Sequence, residues 1–474
     1  MTLQSEIKNV VWGVLAFICF STAAFAENPS LPIGLEAIGT PSNDPLLPMG
    51  LGLVGDIDEV KEDNRSPKGW REALPFEVTG FFETRLGARL QKDDEQKQLS
   101  IGEARLHLKA SKSWDALTLN FTSDFLYDLI AANHTVDVKT GEGWLDIREA
   151  NFVAQPFSFM DIKAGRQILT WGTGDLLFIN DMFPKDWNSF FIGRDVEYLK
   201  APSDALKVGL FSEQINLDVI YTPRFDSDRY IDGRRISYYN TSTGKMTGRT
   251  APVRATTPDD YFEDAELSLR AHRLIGPVEV AFYFYDGFWK SPNGQNPSTG
   301  AFTFPELNVY GASLRGPLAD GIANLEVGYY DSREDETGTN AYVANSEWRV
   351  MTGYEQEIAK DLTGGIQYYV EIKQNFDAYK TALPPGAKAD DEIRHVVTLR
   401  LTQMMMNQNL ILSAFNFYSP SDQDGYMRAK ASYKLNDSWT LEAGGNAFYG
   451  KKQDSFFGQF EEASNIYVSA RFGF

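Results

Sequence analysis

The sequence predicts an all-β fold, a transmembrane up-and-down antiparallel β-barrel of about 18 strands that occupies residues 76–474. Three observations predict it. Period-2 runs of apolar and polar residues succeed one another from Phe76 to the end, and the segments joining them alternate between tight turns and long polar loops. The chain then ends on an alternating strand closed by Phe474.

Residues 1–26 are of another kind. Lys8, the apolar run Val10 to Phe20 and the small-residue end Ala24-Phe25-Ala26 have the layout of a secretory signal peptide, which makes Glu27 the expected mature N-terminus. An apolar run of about 11 residues is too short to cross a bilayer. The single cysteine, Cys19, lies in this segment behind Ile18, where a lipoprotein site wants a small residue. The mature chain is thus expected to have no disulfide, haem attachment or thiolate metal site.

Residues 27–75 form a Pro/Gly-rich segment expected in the periplasm. Leu31-Pro32-Ile33-Gly34-Leu35 recurs as Leu47-Pro48-Met49-Gly50-Leu51 at a spacing of 16. Such a composition opposes helix and favours an extended tail. The tail is open to three readings: disordered drift, a dock for a periplasmic partner, or a plug of the lumen.

The strands are expected near Phe76–Leu90, Leu99–Lys112, Ala116–Asp128, Trp144–Gln155, Phe159–Trp171, Glu197–Phe211 (interrupted by Pro202), Ile215–Phe225, Glu263–Arg273, Val278–Phe288, Leu307–Arg315, Gly321–Tyr330, Ser346–Glu357, Leu362–Phe376, Ile393–Met404, Leu410–Tyr418, Tyr426–Leu435, Trp439–Tyr449 and Ser464–Phe474. At about 10 to 13 residues they suit a tilted membrane strand better than a soluble sheet. Short joints such as Ser113-Trp114-Asp115 and Asn436-Asp437 alternate with loops such as Asp226 to Phe262, which predicts turns on the periplasmic side and loops outside. An even strand count places both termini in the periplasm.

Alternation also assigns faces. Ala104, Leu106, Leu108 and Ala110 are expected toward lipid, with Glu103, Arg105, His107 and Lys109 inward; Val78, Phe82 and Leu86 oppose Glu83, Arg85 and Arg89. Across the barrel the inward set is Arg85, Arg89, Arg105, Lys109, Arg270, Arg400, Arg428 and Arg471 against Glu83, Glu103, Glu266, Glu279, Glu326, Glu371 and Glu442, a lumen of mixed sign. Trp114 and Trp439, beside short turns, are expected in an aromatic girdle. Thr173 to Arg194, with Trp171 just before it and Asp175, Phe178, Phe183, Trp187, Phe190 and Phe191 within it, is too aromatic for a solvated loop. It is expected to fold inward, either as a constriction or as packing against the inner wall. Asp226 to Phe262, with Arg229, Arg234 and Arg235, is either a lid or a surface loop.

Catalytic and cofactor signatures are missing. His107, His134, His272 and His395 show no metal-ligand spacing, and there is no Gly-x-Ser-x-Gly, so neither an enzyme nor a metal or cofactor is expected. The acidic run Asp331 to Glu336 lacks the spacing of a calcium loop. A formal charge of −20 argues against nucleic acid as a partner.

Arg148-Glu149-Ala150-Asn151, followed by Gly165-Arg166-Gln167-Ile168-Leu169-Thr170-Trp171-Gly172, resembles the paired strand motifs of alginate-export and related proteobacterial outer-membrane porins of uncharacterised cargo. The resemblance implies a monomeric 18-stranded channel whose motif arginine is Arg166, with Arg148 on the partner strand; both are counted with the lumen-lining residues, although alternation does not fix the direction of Arg166, which is either a structural ion pair across strands, with Glu149, or part of a conductive constriction. The terminal Phe474 resembles the signal read by the barrel-assembly machinery. The expected setting is the bacterial outer membrane, with lipid and lipopolysaccharide around the barrel and small polar or anionic solutes inside it. The rival reading is a non-conducting scaffold.

Overall fold

The computed structural model describes residues 75–131, 134–241 and 243–474. The signal peptide and nearly all of the 27–75 tail fall outside the described residues. The rest closes into one 18-stranded antiparallel barrel. Its strands are β1 (Glu77–Arg89), β2 (Leu99–Trp114), β3 (Leu117–Asp128), β4 (Leu145–Phe157), β5 (Met160–Ile168), β6 (Pro202–Leu210), β7 (Asn216–Thr222), β8 (Glu266–Ile275), β9 (Val278–Phe288), β10 (Glu306–Leu318), β11 (Gly321–Ser332), β12 (Glu347–Ala359), β13 (Leu362–Lys373), β14 (Ile393–Met405), β15 (Leu410–Ser419), β16 (Asp424–Lys434), β17 (Trp439–Gly450) and β18 (Asn465–Gly473). Each pairs with its sequence neighbours, and β1 pairs with β18, so the barrel leaves no free edge.

Side-chain alternation explains why these strands close in this register. Phe82, Leu86, Leu119, Phe121, Phe282, Leu441 and Val468 are exposed on the outer face, as a wall against hydrocarbon requires. Their polar neighbours turn inward and pair across strands. At the closing seam Glu83 stands opposite Arg105 on one side and Arg471 on the other. A one-residue slip would send these charges outward, so the charge pattern pins the register. Trp114 and Trp439 lie exposed at the short-turn rim, where Trp439 packs against Phe472 at 5.2 Å. Trp144 and Trp348 are exposed at the opposite rim.

The two ends differ as the spacing predicts. Turns as short as Asp115-Ala116 occupy one end together with the start of β1 and the end of β18; the other carries loops L1 to L9 at 90–98, 129–144, 169–201, 223–265, 289–305, 333–346, 374–392, 420–423 and 451–464. The short turn after β14 carries Met406, Asn407 and Gln408 in left-handed conformation. Most strand boundaries differ from the sequence reading by a few residues at one or both ends, and two of the differences fall beside L3. β5 stops at Ile168, before Trp171, and residues from Glu197 are a short 3-10 helix, Val196–Leu199, with β6 beginning only at Pro202. A proline with no N–H to give is placed where the ladder starts rather than inside it.

Candidate functional site

L3, between β5 and β6, folds into the lumen. Its central element is α1 (Trp187–Ile192), capped by the Asp186 carboxylate, which accepts from Ser189 N at 2.7 Å. Gly193 ends it at φ 93°, and a Cβ there would lie 2.4 Å from the Tyr467 ring, so conformation and space both call for glycine.

The aromatic residues of L3 divide into two groups. Phe190 and Phe191 are almost wholly buried among Tyr426, Phe448 and Phe460, with Phe191 to Phe448 at 4.9 Å and edge-on. Phe183 stands edge-on to Trp171 at 5.0 Å, and Trp171 leans on Tyr283 of β9. These side chains form a protein-like core inside the barrel. Phe178 and Trp187 are only half-buried. Lys185 Nζ sits 4.6 Å above the Phe178 ring. Packing against the inner wall therefore accounts for most of the aromatic loop, and Phe178 and Trp187 keep accessible surface.

The inward charges mostly hold this loop. Arg85 donates to Gly193 O at 2.7 Å and pairs with Glu442 at 2.8 Å and Glu83 at 3.2 Å. Arg428 donates to Phe190 O and Arg194 O, and Arg148 to Lys200 O at 2.8 Å. Arg105 lies over the Tyr198 ring at 4.1 Å while paired with Asp124 and Glu103. Arg471 bridges Glu83 and Asp195, and burial of Asp195 is outweighed by Lys430, Arg471 and Arg85, which hold its carboxyl well below the ordinary range. Glu326 pairs with no cation among the described residues; its two oxygens accept from Thr173 N (2.8 Å), Thr173 Oγ1 (3.0 Å), Asn180 N (2.9 Å) and Asn180 Nδ2 (3.0 Å).

L4 closes over L3. Arg229 makes a two-pronged contact with Asp146 of β4 and reaches Asp186, and Arg235 pairs with Asp128 and Glu103. Arg89 donates to Arg235 O at 2.7 Å. Arg234, by contrast, is half in solvent beside Glu142. The loop is thus both lid and surface: its stem is buried in the lumen mouth and the remainder lies outside.

The other sequence-predicted lumen residues occupy separate positions. Arg270 pairs with Glu279 at 2.8 Å; Glu266 accepts from Tyr285 and pairs with Lys290; Glu371 pairs with Arg394 at 3.1 Å. Lys109 is exposed near the short-turn end. Arg400 of β14 pairs with Glu355 of β12 and lies 3.1 Å from Asp175 in L3. Burial pushes the Asp175 carboxyl up, with Arg400 and Arg315 drawing it back.

Arg166 corrects the sequence reading. It is opposite Asp204 in register, and Asp204 shares its face with exposed Leu206 while Ala205 between them is buried inside. Arg166 therefore belongs to the outer face, paired with Asp204 at 3.1 Å and donating to Ile147 O at 2.6 Å and to Val138 O in L2. The guessed pairing with Glu149 is also replaced; Glu149 faces inward to Thr122 and Lys163. Replacing Arg166 with alanine should loosen L2 and leave ion flow unchanged. Faster proteolysis near Val138 at unaltered conductance is the expected result, and altered ion selectivity would put Arg166 back in the lumen.

Sequence reasoning missed Arg315, Asp124, Asp146 and the lumen pairs Glu347 with Arg349 and Arg394 with Asp422. Alternation along β10 and β12 was enough to turn Arg315, Arg349 and Glu355 inward. Nothing in the sequence ties Arg148 or Arg428 to loop carbonyls about 50 or 240 residues away.

No family model matches the chain, and no curated protein matches it. Among solved structures it is similar to OccAB3 of Acinetobacter baumannii, at 11% identity and TM-score 0.49 over 84% of this chain and 98% of that one. It is also similar to OccAB1 of the same organism, at 10% identity and TM-score 0.46 over 84% and 95%. A mutant of the Rh. blastica porin aligns at 11% identity and TM-score 0.38 over 84% and 100%.

Proposed function

We propose that this protein is an outer-membrane channel, not an enzyme, that passes small polar or anionic solutes through a lumen narrowed by L3. The carrying observation is the closed barrel with an apolar outer face and a charged inner one, across which a loop is suspended on wall side chains. Long loops then face outward and the short turns, with both strand termini, face the periplasm. The resemblance to alginate-export porins supports a channel of this class; the lumen's close pairing of arginine with carboxylate favours small solutes over a polyanionic polysaccharide. The tail at 27–75 is proposed as a periplasmic segment that docks a partner or caps the mouth.

Planar-bilayer recording of the refolded protein, with and without residues 27–74, tests the reading. Small, steady conductance steps with a measurable reversal potential in a salt gradient are expected. Silence in both forms would favour the scaffold reading. Assembly supplies a second test. The Phe474 backbone exchanges two hydrogen bonds with Gly80 at the seam, 2.9 and 3.1 Å, so its removal strips both the proposed assembly signal and a closing contact. A chain ending at Gly473 should reach the outer membrane in much lower amount, measured by heat-modifiable gel mobility of membrane fractions; equal amounts would remove Phe474 from the assembly role.

A further inference from the structure

Beneath the tip of L3, on its short-turn side, lies a partly open cavity of about 30 Å³ lined by Thr173, Asp175, Arg315, Asn324, Glu355 and Gln367. That is room for about two water molecules, and the space is open on one side, so a solute of a few heavy atoms can sit partly within it. Gly365 also lines it, and a Cβ there would only touch the Glu355 carboxylate, at 3.5 Å.

The charges around this space are unevenly matched. Arg400 serves both Asp175 and Glu355, so two carboxylates share one guanidinium. Arg315 joins no ion pair among the described residues; Glu279, opposite it in register, is engaged by Arg270. The site therefore holds two carboxylates that share Arg400 and, on the same lining, a guanidinium that joins no ion pair among the described residues.

We propose that this cavity is a binding subsite for a small zwitterion bearing an ammonium and a carboxylate a few bonds apart, such as an α-amino acid. The inference rests on the channel reading and deepens it. The ligand carboxylate binds Arg315, and its ammonium takes the place of Arg400 beside Asp175 or Glu355. A purely anionic solute on Arg315 adds a negative charge beside two carboxylates that already share Arg400, which is costly where charges are buried. A zwitterion exchanges partners without stranding either charge, so discrimination comes from the penalty on the wrong solute. The exchange also frees Asp175, hence the L3 tip, from β14. Gly172, at φ 89°, and Gly174 both lie just before Asp175 and lessen the steric restraint on that stretch of backbone.

The test uses full-length protein in proteoliposomes and three tracers of similar size: alanine, propanoate and lactamide. Alanine is expected to enter about tenfold faster than either of the others, the scale of one charge pair. Arg315→Gln should bring the alanine-to-lactamide ratio close to one, and Arg315→Lys should restore part of it, with gel mobility confirming a folded barrel. Propanoate equal to alanine, lactamide equal to alanine, or a ratio untouched by Arg315→Gln each overturns the subsite while leaving the channel standing. Exclusion of all three tracers overturns the channel and the subsite together.

Discussion

Glu326→Ala is expected to raise conductance several-fold and to make the current flicker. Glu326 is wholly buried and holds both Thr173 and Asn180, so one side chain fastens two points of L3 to β11. Hydrogen bonds to a charged group contribute about 1.5–3 kcal/mol each. Loss of even about 3 kcal/mol of this anchoring multiplies the released population of the loop by roughly a hundredfold. Glu326→Gln, with the same shape and fewer acceptors, should be intermediate. Single-channel recording decides the matter, and an alanine variant with the native conductance and noise would mean that L3 is not the barrier.

The second large effect is expected at Phe191. Its ring is 3% exposed and touches Phe190, Tyr426, Phe448 and Phe460, so Phe191→Ala opens a cavity in the lumen core. Aromatic-to-alanine changes in a packed core cost roughly 3–5 kcal/mol. Here the cost falls on the seating of L3, because the strand ladder does not include residue 191. Proteolysis within 173–194 should accelerate sharply while the barrel keeps its folded gel mobility. Loss of the barrel itself would show that the wall depends on its contents, and unchanged proteolysis would deny the aromatic core any part in holding the loop.

These two residues also show what the sequence could and could not convey. The strands were legible because each inner and outer face repeats every second residue: Val278–Phe288 has its read boundaries, and the closing strand differs by one residue at each end. Glu326 was legible as inward for the same reason. Its partners were not, since Thr173 and Asn180 are about 150 residues away and no local pattern encodes that distance. Phe191 announced itself by composition, as part of a loop too aromatic for water. Arg166 was counted with the lumen arginines on its motif while its direction stayed open, because the residues sharing its face, Ile162, Ala164 and Ile168, are all apolar, the pattern of an outer face that carries one charge.

The way L3 is held has a temporal consequence. Its anchors lie on β1, β4, β11, β14, β16 and β18, strands from both ends of the chain. Arg85 and Asn465 grip neighbouring carbonyls, of Gly193 and Phe191, from opposite sides of the closing seam. No partly built sheet presents that set of groups together, and contacts between such distant segments are slow to form. The loop can seat fully only after β1 has met β18, so a newly joined barrel is at its widest and seals itself from within as its final act of maturation.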